Sequence, residues 1–246
     1  MASGAKAPEG SRAGGMTVVF RATYGAALAL KARVALRNEM WSTARDAAQD
    51  VINLGVYELY PDYQGLFQRE GQNSSEIIFD RLYTEGGNTY NAFAYSANAS
   101  NDSANMILIR YADVLLMYAE AKVELGELDQ SVYDALNEIR SRPTVEMPLI
   151  EGSHSQNELR EIVRNERVVE LGFEGLRLYD MNRWRIGEEK EGEVLGSHFR
   201  DSDGNWYLQS IGFTRSFNPN RDYLWPIPIS EMNSNSAITQ NNPGYN

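Results

Sequence analysis

The chain contains no cysteine and only two histidines among its 246 residues. The first absence excludes disulfides, thiolate catalysis, Cys-based zinc sites and a cysteine-borne lipid anchor. The second leaves His154 and His198, far from each other and from any HExxH-like spacing, so neither a metal site nor a cofactor is expected. Positive charge is also short. Against 34 Asp and Glu stand 23 Lys and Arg, a net charge of −11, which weighs against nucleic acid or an anionic membrane surface as a partner and favours a neutral or cationic ligand. No uncharged run approaches the roughly 20 apolar residues that a membrane helix needs. What remains is ordinary for a globular chain, 42% hydrophobic and 23% charged, and long enough to bury a sizeable core.

Residues 1–16 are mainly Gly, Ala, Ser and Pro and lack the hydrophobic stretch of a secretory signal. They read as a flexible tail, a vector remnant or a wrongly placed start, and are set aside from the fold. From Arg21 the pattern turns helical. Ala26, Ala27, Leu30 and Val34 predict one apolar face, Asn38-Glu39 a turn, and Trp41 to Leu54 a second helix capped by Ser42 and stopped by Gly55. Small Ala32 and Ala44 stand where an antiparallel helical hairpin needs close approach. Val56 to Pro61, Leu66-Phe67 and Glu76 to Asp80 read as short strands or extended segments.

Residues 84–105 are rich in Asn, Ser, Gly and Ala and carry Tyr90, Phe93 and Tyr95 with little periodicity, which predicts a loop. Ile107 to Leu125 is the most apolar helix, Gly126 its stop, and Asp129 to Arg142 its partner. Ala119, Gly126, Leu128, Ser131 and Pro143 match the small, turn, apolar, small and terminal-Pro positions of a tetratricopeptide unit. Asp201 to Trp206 predicts a tight turn between two short strands, with Gly204 supplying positive φ. It is no calcium loop: the twelfth residue from Asp201 is Gly212, where an EF-hand requires Glu. Pro226 and Pro228 make Tyr223 to Pro228 an extended strap, followed by an irregular polar tail from Asn233.

The stretch from Ile162 to Trp184 is expected to organise the rest. Its apolar residues Ile162, Val169, Phe173, Leu176 and Tyr179 follow helical spacing, and Glu166, Glu170 and Glu174 stand four apart as an acidic stripe. Gly175 divides a helix ending near Glu174 from a second over about 176–184. Carboxylates sharing a face invite acid–base or cation chemistry. Arg164, Arg167, Arg177, Arg183 and Arg185 lie close enough in sequence to neutralise them, so the stripe is read as structural and no catalytic residue is assigned. The fold class expected is mainly α: three tetratricopeptide-like hairpins at 21–54, 107–142 and 156–185, with irregular loops and a few short strands.

These residues also carry a resemblance. The run from Arg164-Asn-Glu-Arg to Asp180-Met-Asn-Arg-Trp184 closely resembles the "ER-x-x-EL-x-FEG-x-R-x-x-D-x-x-RW" motif of the SusD/RagB family. Arg110-Tyr-Ala-Asp-Val-Leu-Leu-Met-Tyr-Ala-Glu-Ala121 is similar to that family's "RYADVLLMYAEA" helix, and Tyr223-Leu-Trp-Pro-Ile-Pro228 with Gln240-Asn-Asn-Pro-Gly-Tyr245 to its C-terminal close. The resemblance implies a surface glycan-binding lipoprotein of the outer membrane, with a single SusD-like α-helical domain over 17–246. It implies an oligosaccharide or other nutrient ligand, a SusC-like TonB-dependent transporter as partner, and no catalysis. The family's lipoprotein signal and additional N-terminal helical pair are expected to be missing here, and the region around 84–105 to be shortened.

Aromatic rings in polar loops stack on the CH faces of sugars. The ligand-binding candidates are therefore Tyr90, Phe93 and Tyr95 in one loop and Trp206 and Tyr207 in the other, with Asn88, Asn91 and Asp203 to orient a ligand. The alternative is a helical-repeat interaction scaffold without small-ligand binding. A glycosidase needs two carboxylates facing one sugar site across about 5 to 10 Å, which a stripe on one helix face does not supply.

Overall fold

The computed structural model describes residues 22–81, 105–190 and 192–245. Its contacts divide the chain into two units, Met1–Gly172 and Phe173–Asn246.

The first unit opens with a helical hairpin, α1 (Tyr24–Arg37) and α2 (Trp41–Asn53). The Thr23 hydroxyl caps α1 by accepting the Ala26 N–H. No hydroxyl caps α2. Its N-cap is Met40, which makes no side-chain bond, and Ser42 lies inside the helix. The start is set instead by the turn, where Glu39 adopts a left-handed φ of 56° and the Met40 N–H returns to the Ala35 carbonyl.

The face that α1 buries is not the one expected. Gly25, Ala26, Leu28, Ala29, Ala32, Ala35 and Leu36 are inside, while Ala27, Leu30 and Val34 are exposed. Close approach explains the choice. Ala29, Ala32, Ala44, Ala47 and Ala48 are all fully buried, and backbones packed this tightly admit only small side chains between them. At Gly25 even a Cβ would lie 2.2 Å from the Tyr57 hydroxyl.

A single helical turn, α3 (Tyr63–Leu66), precedes an antiparallel pair, β1 (Ile77–Arg81) and β2 (Met106–Arg110). From β2 the chain runs directly into α4 (Tyr111–Glu124). Residues 107–110, expected as the first turn of that helix, are strand. Ile107 pairs with Asp80, Ile109 with Phe79 and Arg110 with Ile77, and β-branched side chains favour that pleated arrangement when a partner strand is available.

α4 is buried on every side from Tyr111 to Val123 and packs against α1, α2, α5 (Gln130–Arg140) and α6 (Gln156–Glu170). The first unit is thus built around α4 rather than around the Ile162–Trp184 stretch. Gly55 (φ 60°) and Gly126 (φ 75°) take left-handed conformations just after α2 and α4, as expected of helix stops. The Asp129 carboxylate caps α5, and Ser155 with Glu158 forms a full capping box on α6.

The second unit contains α7 (Arg177–Trp184), the antiparallel hairpin β3 (Gly192–Arg200) and β4 (Trp206–Arg215), and the short α8 (Ile229–Ser234). Helix α6 has already ended at Glu170, four residues short of the expected Glu174, because Phe173 (φ 64°) and Gly175 (φ 77°) are both left-handed and no helix continues through them. At the hairpin turn Asp201 Oδ1 accepts the N–H groups of Asp203 (3.0 Å) and Asn205 (2.8 Å), and Gly204 supplies φ 85°.

The strap, expected to be extended from Tyr223 to Pro228, begins in a turn at Tyr223, closed by the Leu224 N–H on the Arg221 carbonyl at 3.2 Å, and only Trp225 to Pro228 lie outside helix, turn and bend. The Tyr223 ring packs edge-on against Phe217 with centroids 4.6 Å apart and lies 4.5 Å from the Arg185 guanidinium. Its hydroxyl donates to Glu188 and accepts from the Gly187 N–H at 3.0 Å. Downstream amides hold the backbone. Asn241 accepts the Ile227 N–H (2.8 Å) and donates to the Ile227 carbonyl (3.2 Å), and Asn242 donates to the Trp225 carbonyl (2.6 Å). The fold is mainly helical with a few strands. The loop expected over 84–105 lies outside the described residues except for Asn105.

Candidate functional site

The first arrangement to consider is the carboxylates of α6. Glu166 and Glu170 are buried, and so is Arg167 between them, whereas the apolar Val169 is 63% exposed and Phe173 92% exposed. The last turns of the helix therefore carry charges inward, after Leu159 and Val163 have formed an apolar buried face. Glu174 falls beyond its end and is half-buried, so three carboxylates in one line do not exist.

What makes the inversion possible is a set of arginines from other segments. Arg110, the last residue of β2, donates through Nη1 to Glu76 (2.8 Å) and Glu170 (2.6 Å), and through Nη2 to the Glu170 carbonyl (2.6 Å). Arg142, just after α5, donates through Nη1 to Glu76 (2.8 Å) and the Tyr60 carbonyl (2.6 Å), and through Nη2 to Glu170 (2.9 Å). Tyr63 and Phe67 close the cluster: the Arg110 guanidinium lies 5.9 and 5.8 Å from their ring centroids, and Arg142 lies 5.4 Å from that of Tyr63. Burial alone would raise the pKa of Glu76, but Arg142, Arg110 and the Tyr60 N–H outweigh it and leave it lowered.

A parallel set surrounds Asp113 on α4. Arg33 donates to it at 2.7 Å and Arg167 at 3.0 Å. Full burial pushes the Asp113 carboxyl up, the two guanidinium groups pull it down further, and its pKa settles at about 2. Glu166 is different. Arg140 contacts it at 2.6 Å, yet burial prevails and its pKa is raised.

Of the neighbours expected to neutralise the stripe, Arg167 pairs with Asp113 at 3.0 Å, Arg183 with Asp180 at 2.8 Å and Arg164 with Glu161 at 3.8 Å. The structural reading of Glu166 and Glu170 stands on other arginines, Arg110, Arg140 and Arg142. Glu76, Arg110, Arg142 and Glu170 expose 6% of their side chains or less. No substrate reaches them. Among the described residues no group of His, Cys, Asp and Glu is arranged to hold a metal ion.

The second arrangement is aromatic and exposed. Trp206 and Tyr207 lie at the start of β4, not in a loop, and as consecutive strand residues they face opposite sides of the hairpin. Trp206 pairs across the ribbon with Arg200 and Tyr207 with Phe199. The Arg200 guanidinium lies 4.9 Å from the Trp206 ring centroid and His198 approaches the same ring edge-on at 6.4 Å, while Tyr207 and Phe199 lie 6.1 Å apart. Trp206 remains 63% exposed. The two rings therefore form two separate surfaces, each with its own partner, and not one platform. Asp203 is exposed in the adjoining turn. Tyr90, Phe93 and Tyr95, with Asn88 and Asn91, lie outside the described residues.

A charge network thus lies closed to solvent at the centre of one unit, and aromatic rings are displayed in the other. The SusD family model matches residues 51–245. This chain belongs to the SusD family. SusD-like protein P2 of Formosa agariphila is 37% identical over 153 residues, covering 60% of this chain and 27% of that protein. The chain thus spans about a quarter of the length of that SusD-family relative.

Among solved structures, a SusD-like protein of Bacteroides fragilis superposes with a TM-score of 0.77 at 23% identity, over 95% of this chain and 67% of that one. A SusD-like carbohydrate-binding protein of the same species gives 0.75 at 24%, over 87% and 64%. At such identities the likeness establishes the SusD fold and no more.

Sequence reasoning missed His198, Phe199 and Arg200 as the neighbours of the two rings. The signal was available, since a tight turn over 201–205 places 198–200 opposite 206–208. It also passed over Trp225, in the strap, which is 69% exposed.

Proposed function

We propose that this chain is a non-enzymatic glycan-binding protein that works at the outer-membrane surface with a TonB-dependent, SusC-like transporter. Membership of the SusD family and a solved neighbour named for carbohydrate binding support the ligand class, and the net charge of −11 favours a neutral oligosaccharide over a polyanionic one. The observation that carries the reading is Trp206: a large, mostly exposed ring held in place by Arg200 and His198. Such preorganisation lowers the entropy lost when a sugar ring stacks on it. Tyr207 offers a second surface on the other side of the ribbon, and Tyr90, Phe93 and Tyr95 belong to the same proposal by sequence.

Calorimetric titration with neutral oligosaccharides tests it. We expect weak binding that Trp206→Ala abolishes or reduces severalfold, because one stacked ring contributes only about 1 to 2 kcal/mol. Undiminished affinity in that variant moves the site elsewhere, and product formation during the titration contradicts the non-enzymatic role.

A scaffold reading draws on one observation, the outward face of α1, where Tyr24, Leu30 and Val34 are exposed. It expects flat glycan titrations together with self-association that a Leu30→Glu, Val34→Glu variant removes in sedimentation velocity.

A further inference from the structure

The strap displays a second ring. Trp225 is 69% exposed, more than Trp206, although its backbone is among the best anchored in the second unit. Before it, Tyr223 is buried against Phe217 and Arg185, and the Leu224 carbonyl accepts the Tyr245 hydroxyl at 3.1 Å. At Trp225 itself the carbonyl accepts from Asn242, and beyond it Asn241 holds both backbone groups of Ile227. Pro226 and Pro228 fix φ on the far side. An unsupported apolar side chain on a mobile segment folds onto the nearest surface. Here the backbone is held so that the indole stays in water.

We propose that Trp225 is a second stacking platform, for a neutral pyranose chain; the inference rests on the glycan-binding reading. Three features choose that occupant. Arg221 and Asp222 beside the strap are paired with each other at 2.5 Å and so offer no net charge to an ionic partner. The hydrogen-bonding groups beside it are amides and a phenol, from Asn241, Asn242 and Tyr245, uncharged groups of the kind that pair with sugar hydroxyls. Finally, a flat indole matches the CH face of a pyranose, a contact to which an aliphatic side chain of similar bulk contributes much less. A polymer that reaches both Trp206 and Trp225 gains avidity from the second ring, so loss of either weakens binding to a long chain.

Affinity electrophoresis of the full chain in gels cast with neutral polysaccharides (soluble starch, laminarin, glucomannan) tests the assignment, with thermal melts on every variant. Trp225→Phe keeps a flat ring; Trp225→Leu keeps bulk without one. In a gel that retards the wild type, we expect Trp225→Phe to stay within about twofold and Trp225→Leu to lose on the order of fivefold in apparent affinity, at unchanged melting temperature. Equal retardation of Trp225→Leu and wild type overturns the inference, and so does equal loss in both variants, since a flat ring would then not matter. Loss in Trp225→Leu with none in Trp206→Ala supports Trp225 and overturns the site proposed on the ribbon. A wild type that no gel retards overturns both.

Discussion

The two units handle difficult side chains in opposite ways. The first takes charges into its interior and satisfies them there, with Glu76, Arg110, Arg142 and Glu170 forming a closed set. The second leaves aromatic rings in water, with Trp206, Tyr207 and Trp225 all exposed, and fixes the backbone beneath them instead. Burying a charge is tolerable only when its partner is buried with it, whereas a ring left singly at the surface needs no such partner. On the proposed glycan-binding reading, stability and recognition fall to different regions.

The strongest test of that division removes one charge of the closed set. Glu76→Ala leaves Arg110 and Arg142 short of counter-charge in the interior and should cost about 3–5 kcal/mol in urea unfolding. A loss under 1 kcal/mol would erase the contrast. We further propose that residues 17–246 unfold as one domain, which predicts a single transition for the wild type; two transitions would divide the units thermodynamically as well.

Acid provides a second test. Asp113 has a folded pKa of about 2, below its ordinary 3.8, so its contribution is fully present above pH 3.8 and is lost as pH falls toward 2. The amount is about 2 kcal/mol, and in Asp113→Asn the stability measured by urea titration from pH 6 to 3 should fall less steeply than in the wild type. Glu166 runs the other way. Its folded pKa is raised, so its ionisation costs stability once pH rises past its ordinary value, and Glu166→Gln should be tolerated far better than Glu76→Ala.

Trp206→Ala comes next in size. It should reduce oligosaccharide affinity by about 1 to 2 kcal/mol while moving the melting temperature by less than a degree or two, roughly the reverse of Glu76→Ala. The smallest effect expected is a gain. Glu39 holds a left-handed φ of 56° in an exposed turn, and Glu39→Gly should stabilise the chain by up to about 1 kcal/mol in the same urea assay.

How far the sequence led depended on whether the signal was local. Helix boundaries set by a short-range glycine, such as Gly55 and Gly126, were readable within a residue or two. Faces were not. On α1 the larger residues Leu30 and Val34 outweigh the alanines in any periodicity, yet the alanines are what a tight helix pair admits. On α6 Glu166 and Glu170 are inside because Arg110, Arg140 and Arg142 come to meet them from segments 26 to 60 residues away, a distance over which no spacing rule speaks. The same holds for 107–110, strand only because residues 77–81 supply a partner. The Trp206–Tyr207 pair was found, but its division between two faces follows from the strand that carries it.

The closed charge set also restricts how this sequence can change over time. Its members sit at positions 76, 110, 142 and 170, and each touches both residues of opposite sign. Losing any one strands charge in the interior, and a reversal of sign sets it against its former partners. Replacement by apolar residues of like volume can succeed, but only when several positions change together. Drift by single steps is therefore blocked at these positions, while exposed positions of the ribbon, such as Trp206 and Tyr207, carry no such constraint from the interior.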